Sequence, residues 1–271
     1  MTICAHTLVK NEENYIWYSI KSVINWVDKI LVWDTGSSDK TVEIVNEIKK
    51  LYPEKISFLE YGEVSGKDYW KPRNEMLKET KADWILTLDG DEVWWEDSIR
   101  KLVKLTQIQS GWKVESVVVK TVNLVGDIYH YQEKEAGQYE IKDKKGHYNL
   151  RLFSTKIPGL KARGEHGQEG YFDGWRKSLQ ERNKVHFLDA SYMHFTHLPR
   201  TVSEKETEVP KRKSKLKYEI GLSFPLDYYY PEVFFIRRPK IVSSVWKKMA
   251  KDYKFRAYFE TPFKKIKRRI F

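Results

Sequence analysis

Four short apolar runs, TICAHTLV, KILVW, KISFLEY and DWILTL, punctuate the chain from Thr2 to Leu88, and the segments between them carry apolar residues at helical spacing. That alternation leaves few architectures open. A strand, a helix crossing back over it and a second parallel strand make a βαβ unit. Repeated units build a parallel sheet covered by helices on both faces. In NYIWYSIKSVINWV the spaced positions are Ile16, Ile20, Val23, Ile24 and Val27. In TVEIVNEIKKLYP they are Val42, Val45, Ile48 and Leu51, with Pro53 beyond the end. RNEMLKETK reads as a short third helix, and the polar turn DTGSSDKT ends the second strand.

After Trp95 the pattern changes. SIRKLVKL reads as a helix, ESVVVKTVNLVGD and YNLRLFS as longer strands, and ASYMHFTHL as a last strand. A polar stretch, 129–147, separates the two longer ones. The expected organisation is an α/β half over 1–95, a more antiparallel, substrate-facing half over 96–199, and a basic extension over 200–271. The stretch EKETEVPKRKSKLK, 204–217, reads as a charged linker or exposed helix.

A length of 271 residues with 41% hydrophobic residues suits one globular domain, or one with an appendage. The single cysteine, Cys4, excludes an intramolecular disulfide and a zinc cluster, so a reducing, cytoplasmic setting is expected. MTICAHTLVKNEEN lacks a basic leader with an apolar core. No apolar run approaches the roughly 18 residues of a spanning helix, so no membrane crossing is expected. The net charge of +11 is unevenly placed. Residues 200–271 hold 20 Lys and Arg against 8 Asp and Glu, so this extension carries +12 and the body −1. Such asymmetry points to an anionic partner surface, nucleic acid or lipid.

The fourth run ends in WILTLDGDEVWW, which places Asp89, Asp91 and Glu92 around Gly90. In extended chain, residues i and i+2 face the same side. Asp89 and Asp91 therefore aim two carboxylates at one point. In open α/β sheets ligands bind beyond the carboxyl ends of strands, where Asp34 also falls. Paired carboxylates suit a hard cation such as Mg²⁺ or Mn²⁺ with phosphate oxygens. The same residues also suit a solvated acidic turn before a helix capped by Asp97 or Ser98.

The stretches VKNEENYI, VWDTGSSDKTVEIV, KPRNEML and WILTLDGDEVW, in this order and spacing, resemble family 2 glycosyltransferases of the GT-A fold. The resemblance is good over Thr2 to Trp95, weaker to Arg200 and absent beyond. It implies a GT-A fold, with a mixed, mostly parallel sheet flanked by helices and the basic extension added. It also implies a nucleoside-diphosphate-sugar donor, a divalent cation and inversion at the anomeric carbon. By the same resemblance, Asp34 contacts the nucleotide base or ribose, Asn11 and Glu12 lie near the nucleotide, and Arg73 holds the nucleotide moiety. Asp89 and Asp91 match the family's DxD motif, and a late histidine, His194, becomes a cation ligand. Each has a plainer use: Asp34 as a turn former, Asn11 and Glu12 as helix caps, Arg73 as a surface residue and His194 as a core histidine.

An inverting transfer needs a base near the acceptor hydroxyl. RLFSTKIPGLKARGEHGQEGYFDG resembles, imperfectly, the family segment that supplies it. Glu169 is the first candidate and Glu165 the second, with His166 and Asp173 nearby. His194 and His197, three apart on an expected strand, should face opposite sides, leaving one away from the site. Trp94, Trp95 and Trp175 suit a sugar face or the core.

In the extension, VSSVWKKMAKDYKF reads as a helix with Val242, Val245, Trp246, Met249 and Tyr253 on one face. PFKKIKRRIF repeats the design with Phe263, Ile266 and Ile270. Basic amphipathic helices with aromatic residues favour an anionic membrane surface on the cytoplasmic side, the plainer alternative being a face packed on the domain. The expected partners are thus a sugar nucleotide, a glycan or lipid-linked glycan acceptor and an anionic membrane, with no nucleic acid. A nucleic-acid-binding protein would interleave basic and aromatic residues over its folded surface. A sugar-phosphate nucleotidyltransferase would carry a Gly-rich basic loop near its start. A dinucleotide-binding oxidoreductase would show GxGxxG after the first strand, which does not occur, and DTGSSDKT lacks the GxxxxGK[ST] spacing of a phosphate loop.

Overall fold

The computed structural model describes residues 1–108, 114–165, 167–201 and 215–270. The four apolar runs are β1 (Ile3–Val9), β2 (Lys29–Asp34), β3 (Ile56–Glu60) and β4 (Trp84–Thr87). They are joined by α1 (Ile16–Val23), α2 (Thr41–Leu51) and α3 (Trp70–Glu79). Then come β5 (Glu92–Trp94), α4 (Glu96–Ile108), β6 (Ser116–Val125), β7 (Asp127–Tyr131), β8 (Tyr139–Ile141), β9 (Lys144–Gly146) and β10 (Tyr148–Ser154). β11 (Lys161–Arg163), β12 (Gly170–Phe172), β13 (Val185–His194), β14 (Leu222–Ser223) and a C-terminal helix, Lys251–Ile270, follow among the described residues.

The main sheet runs β14-β7-β6-β10-β4-β1-β2-β3, and β13 pairs with both β5 and β6. β4, β1, β2 and β3 are mutually parallel. β10 is antiparallel to β4 and to β6, so strand sense reverses midway across the sheet. This is the mixed α/β sheet flanked by helices that the resemblance implies.

Both faces of the parallel half are covered, and strand alternation shows it. Ile3, Ala5 and Val9 of β1, with Ile30 and Val32 of β2, join the large core that includes Ile16, Ile20, Val23 and Ile24 of α1. The intervening Cys4, Leu8, Leu31 and Trp33 pack on the other face against Met76 of α3. On α2 the buried stripe is Thr41, Ile44, Val45 and Ile48. The expected stripe was turned too far, because Leu51 is 64% exposed. It ends the helix, where the sheet no longer covers that face.

The chain from 215 onward is fastened to the rest. β14 adds an antiparallel strand to β7. Val233, Phe234, Val242 and Val245 enter the large core beside Tyr18. The Tyr18 hydroxyl donates to Ser243 O (2.8 Å), and Trp95 Nε1 donates to Tyr229 O (2.9 Å). Residues 242–250 form no helix, contrary to the periodicity. Their apolar side chains are spent on the core and on the edge-on contacts of Trp246 with Tyr230 and Phe234 and its tilted contact with Phe235. Most of the charged stretch 204–217 lies outside the described residues. Among the described residues no helix is long and apolar enough to cross a membrane.

Candidate active site at the carboxyl edge of the sheet

Because β1, β2 and β4 run parallel, their carboxyl ends deliver three loops, 10–14, 35–38 and 88–91, to one edge. The first two are tied together. Asn11 adopts a positive φ of 52°, which its short polar side chain tolerates. Its Oδ1 accepts from Ser38 N–H (2.8 Å), and its own N–H donates to Ser37 Oγ (2.8 Å). Asp34 accepts from the N–H groups of Gly36 (2.9 Å) and Ser37 (2.8 Å) and from the Ser37 hydroxyl. Asn11 and Asp34 are buried and fasten these loops, and the structure does not bring either into the cleft lining. Glu12 does reach it: its backbone carbonyl accepts from Tyr15 and Ile16 at the start of α1, while Oε1 accepts from Arg200 (2.8 Å).

The acidic loop turns sharply, with Glu92 N–H donating to Asp89 O (3.1 Å). Each acid meets a fixed cation. Asp89 lies 3.6 Å from Arg73 and 3.3 Å from Arg151. Asp91 lies 3.0 Å from Arg200 and 3.3 Å from His194 Nε2. Glu92, fully buried, pairs closely with Arg151. Burial alone would raise the Asp91 carboxyl, but Arg200 and then His194 outweigh it and hold it well below the carboxylate range. Asp89 is lowered as well, with Arg151 and Arg73 overcoming burial. At Glu92 burial wins over Arg151 and pushes the carboxyl up to about 7.

The arginines come from far along the chain. Arg151 is the extra residue of a bulge in β10, where Leu150 faces Val118 and Leu152 faces the adjacent Val117. A bulge re-aims a side chain, and this one turns Arg151 onto the acids and onto the Tyr192 hydroxyl (3.0 Å). Arg200 follows β13. Arg73, on α3, is buried between Asp89 and Glu169 (3.7 Å), and its Nε has no hydrogen-bond partner among the described residues. Sequence reasoning passed over Arg151 and Arg200 and gave Glu92 no role of its own. The available signal was a charged residue flanked by apolar strand neighbours, as in NLRLF.

His194 ends β13 opposite Glu92. The chain then leaves the strand, with Phe195 N–H donating to Asp91 O (2.9 Å). The strand alternation argument therefore fails for His197, and both histidines line the cleft. His197 contacts Gln132 Oε1 (3.0 Å) and Lys215 O (2.7 Å), and burial lowers it to about 3. Glu169 lines the cleft and accepts from Gly167 N–H. Glu165 is exposed and stands outside the lining, while His166 lies outside the described residues. Asp173 is a buried fastener for Arg182 and for the N–H groups of Trp175 and Lys177. Trp94 and Trp95 are core residues, and Trp175 is 78% exposed away from the cleft.

The result is a cleft of about 700 Å³. Lys10, Glu12, Arg73, the acidic loop, Asn123, Gln132 and Asn149 are among the residues that line it. Among the described residues no group of three or more His, Cys, Asp or Glu converges as a metal cluster. Asp91 Oδ2 and His194 Nε2 nevertheless stand 3.3 Å apart. Neighbouring ligands on an octahedral ion bound at 2.0–2.1 Å are roughly 3 Å apart, and Mg²⁺ commonly takes one or two protein ligands plus phosphates and waters. The same Asp91 oxygen also meets Arg200 (3.0 Å), so an ion held by Asp91 and His194 would displace that guanidinium, with the 35%-exposed Asp89 side chain beside it.

Residues 4–180 match the family model described as Glycosyl transferase family 2. The SPbeta prophage-derived glycosyltransferase SunS of Bacillus subtilis (strain 168) is 26% identical over 118 residues, 43% of this chain and 26% of that protein. A TPR repeat-containing protein of Synechococcus elongatus is 32% identical over 85 residues, 31% of this chain and 19% of that protein. The matches thus span about a fifth to a quarter of these relatives' length. Among solved structures, S. aureus TarS 1–349 in complex with UDP-GlcNAc aligns with TM-score 0.47 and 16% identity, over 72% of this chain and 58% of that one. The glucosyl-3-phosphoglycerate synthase from Mycobacterium tuberculosis, in complex with Mn²⁺, UDP and glucosyl-3-phosphoglycerate, aligns with TM-score 0.43 and 14% identity, over 71% of each chain.

Proposed function

The chain belongs to glycosyl transferase family 2, and on that footing we propose that it transfers a sugar from a nucleoside-diphosphate-sugar donor to a hydroxyl of a glycan or lipid-linked glycan, inverting the anomeric carbon. The observation that carries the reading is the meeting of Asp89 and Asp91 with Arg73, Arg151 and Arg200 in one cleft at the carboxyl edge of the sheet. Guanidinium forks suit phosphate oxygens, and Arg73, Arg151 and Arg200 all line the cleft. Glu12 and Arg73 border the donor side, while Asn11 and Asp34 keep the neighbouring loops in shape for the nucleoside. Asp91 and His194, with Asp89 beside them, would hold Mn²⁺ or Mg²⁺. When bound, that ion neutralises the diphosphate and stabilises it as a leaving group.

Glu169 is the proposed base. It takes the acceptor hydroxyl's proton as that oxygen bonds to the anomeric carbon; the bond to phosphate breaks and its electron pair leaves with the diphosphate. Glu165, the second candidate, would need the loop between β11 and β12 to move. The same reading sets the reaction in the cytoplasm, with lipid-linked acceptors presented at the inner face of the membrane.

The test is thermal unfolding of the full chain against a panel of sugar nucleotides, with and without Mn²⁺. A ligand that binds only the folded form raises the midpoint. One donor class should stabilise, more strongly with the metal, and Asp91→Asn should lose the metal-dependent part and at least about 100-fold in turnover. No stabilisation by any sugar nucleotide, or full turnover in Asp91→Asn, sinks the proposal.

A further inference from the structure

The C-terminal helix has two faces with opposite fates. Its inner face is bound to the body. Ala257 and Thr261 are buried, and Thr261 Oγ1 accepts from Ile220 N–H (2.8 Å). Tyr253 Oη donates to Lys217 O (2.5 Å), and Lys264 Nζ to Tyr218 O (2.6 Å). Arg268 grips Glu219 through both terminal nitrogens (2.6 and 2.7 Å) and reaches Glu133 (3.0 Å).

The outer face carries Phe255, Phe259, Phe263, Ile266 and Ile270. Their steps of four, four, three and four residues set them in one stripe along the helix. They are 69%, 57%, 75%, 56% and 67% exposed, and Tyr258, at the margin, is 68% exposed. An unbroken aromatic and aliphatic stripe of this length is unusual on a protein surface facing water. Its flanks are basic. At 100° per residue, Arg256 and Lys267 fall on one side, and Lys251, Lys254, Lys265 and Arg269 on the other. The helix holds eight Lys and Arg against two acids, Asp252 in its first turn and Glu260, which is tied to Lys264 (2.8 Å).

From this pairing of stripe and flanks we propose that the outer face of the C-terminal helix docks in the plane of an anionic lipid bilayer, with the rings in the acyl boundary and the basic flanks among the head groups. Charge decides the occupant. A second copy of the chain would bring the same basic flanks against these, and the helix carries a net +6. An anionic lipid surface complements both the stripe and its borders. The helix, rather than residues 242–250, is the membrane element, because the latter are committed to the core. The docked helix also lies next to the cleft. Glu219, held by Arg268, accepts from Gln132 Nε2 (3.3 Å), and Gln132 lines the cleft.

The test is co-flotation of the full chain with phosphatidylcholine vesicles, pure or with phosphatidylglycerol added, at low and high salt. No sugar donor is present, so the outcome is separate from the reading of the cleft. The chain should float with the mixed vesicles at low salt and not with the pure ones, and high salt should release it. Each basic residue removed near the surface is expected to cost about fivefold in partitioning. Lys267→Glu with Arg269→Glu should therefore lose well over tenfold, as should Phe255→Ser with Phe259→Ser and Ile266→Ser. These positions are exposed, and an unchanged unfolding midpoint verifies the fold. The proposal is overturned if the native chain ignores anionic vesicles, if the serine variant floats as well as the native chain, or if light scattering shows a dimer that this variant dissolves.

Discussion

A Cβ at Gly90 would stand 2.8 Å from Glu12 Cγ and 3.1 Å from Glu12 Cβ. Glu12 has little freedom to yield, because Arg200 holds its carboxylate. The glycine between the two aspartates is thus a matter of space, letting the acidic loop lie against the first loop. Gly90→Ala should destabilise by about 1–3 kcal/mol, as overpacking does, read as a lowered thermal midpoint. Glu12→Ala in the same chain should recover part of that loss, giving a double variant less harmed than the sum. At Arg151, substitution by Met strands Glu92 in the interior. That should cost about 3–5 kcal/mol in denaturant unfolding, with Glu92→Gln in the same background restoring much of it. Asp89 and Asp91 were legible in the sequence because a strand end and their spacing single them out, and His194 only through the resemblance. Arg151 and Arg200 were not, since their partners lie 59 or more positions away and only the folded sheet brings them together.

At the scale of elements, periodicity served wherever one face is covered along its whole length. β1 to β4 and α1 follow the apolar pattern, because each lies in the sheet or flat against it. The pattern misled where a helical period was met by irregular chain: Val242 and Val245 are buried, but by loop packing. The small hairpin of β8 and β9 within the polar stretch had no apolar signature to read, since Tyr139, Glu140, Lys144 and Lys145 are exposed. The C-terminal helix is attached by a pair that pH can break. Burial alone would raise the Glu219 carboxyl, but hydrogen bonds and charge from Arg268 outweigh it and hold it below its ordinary 4.5. Its contribution is therefore complete above that ordinary value and is lost as pH falls through the depressed folded value. Hydrogen exchange of residues 251–270, compared with α2, should show protection at neutral pH that fades in acid. Arg268→Ala should lack that protection at both.

For the whole molecule, the extension and the catalytic half share one core. Cutting the chain after residue 199 would remove Val233, Phe234, Val242 and Val245 from it and leave Tyr18 without the Ser243 carbonyl. That product should aggregate or unfold at much lower temperature, whereas a chain ending at 250 should keep a cooperative transition at a lowered midpoint, since Ile220 and the buried Glu219 lose Thr261 and Arg268, and should lose vesicle binding. Circular dichroism melts of the two separate these outcomes. The pairing of Glu12 with Arg200 spans 188 positions. At a translation rate of 5–20 residues per second, the carboxylate emerges roughly 10–40 s before the guanidinium that neutralises it. A nascent N-terminal half therefore leaves the ribosome with Arg73 beside Asp89 but with Glu12, Asp91 and Glu92 still lacking Arg200 and Arg151. The fold closes late, once residue 200 has been synthesised.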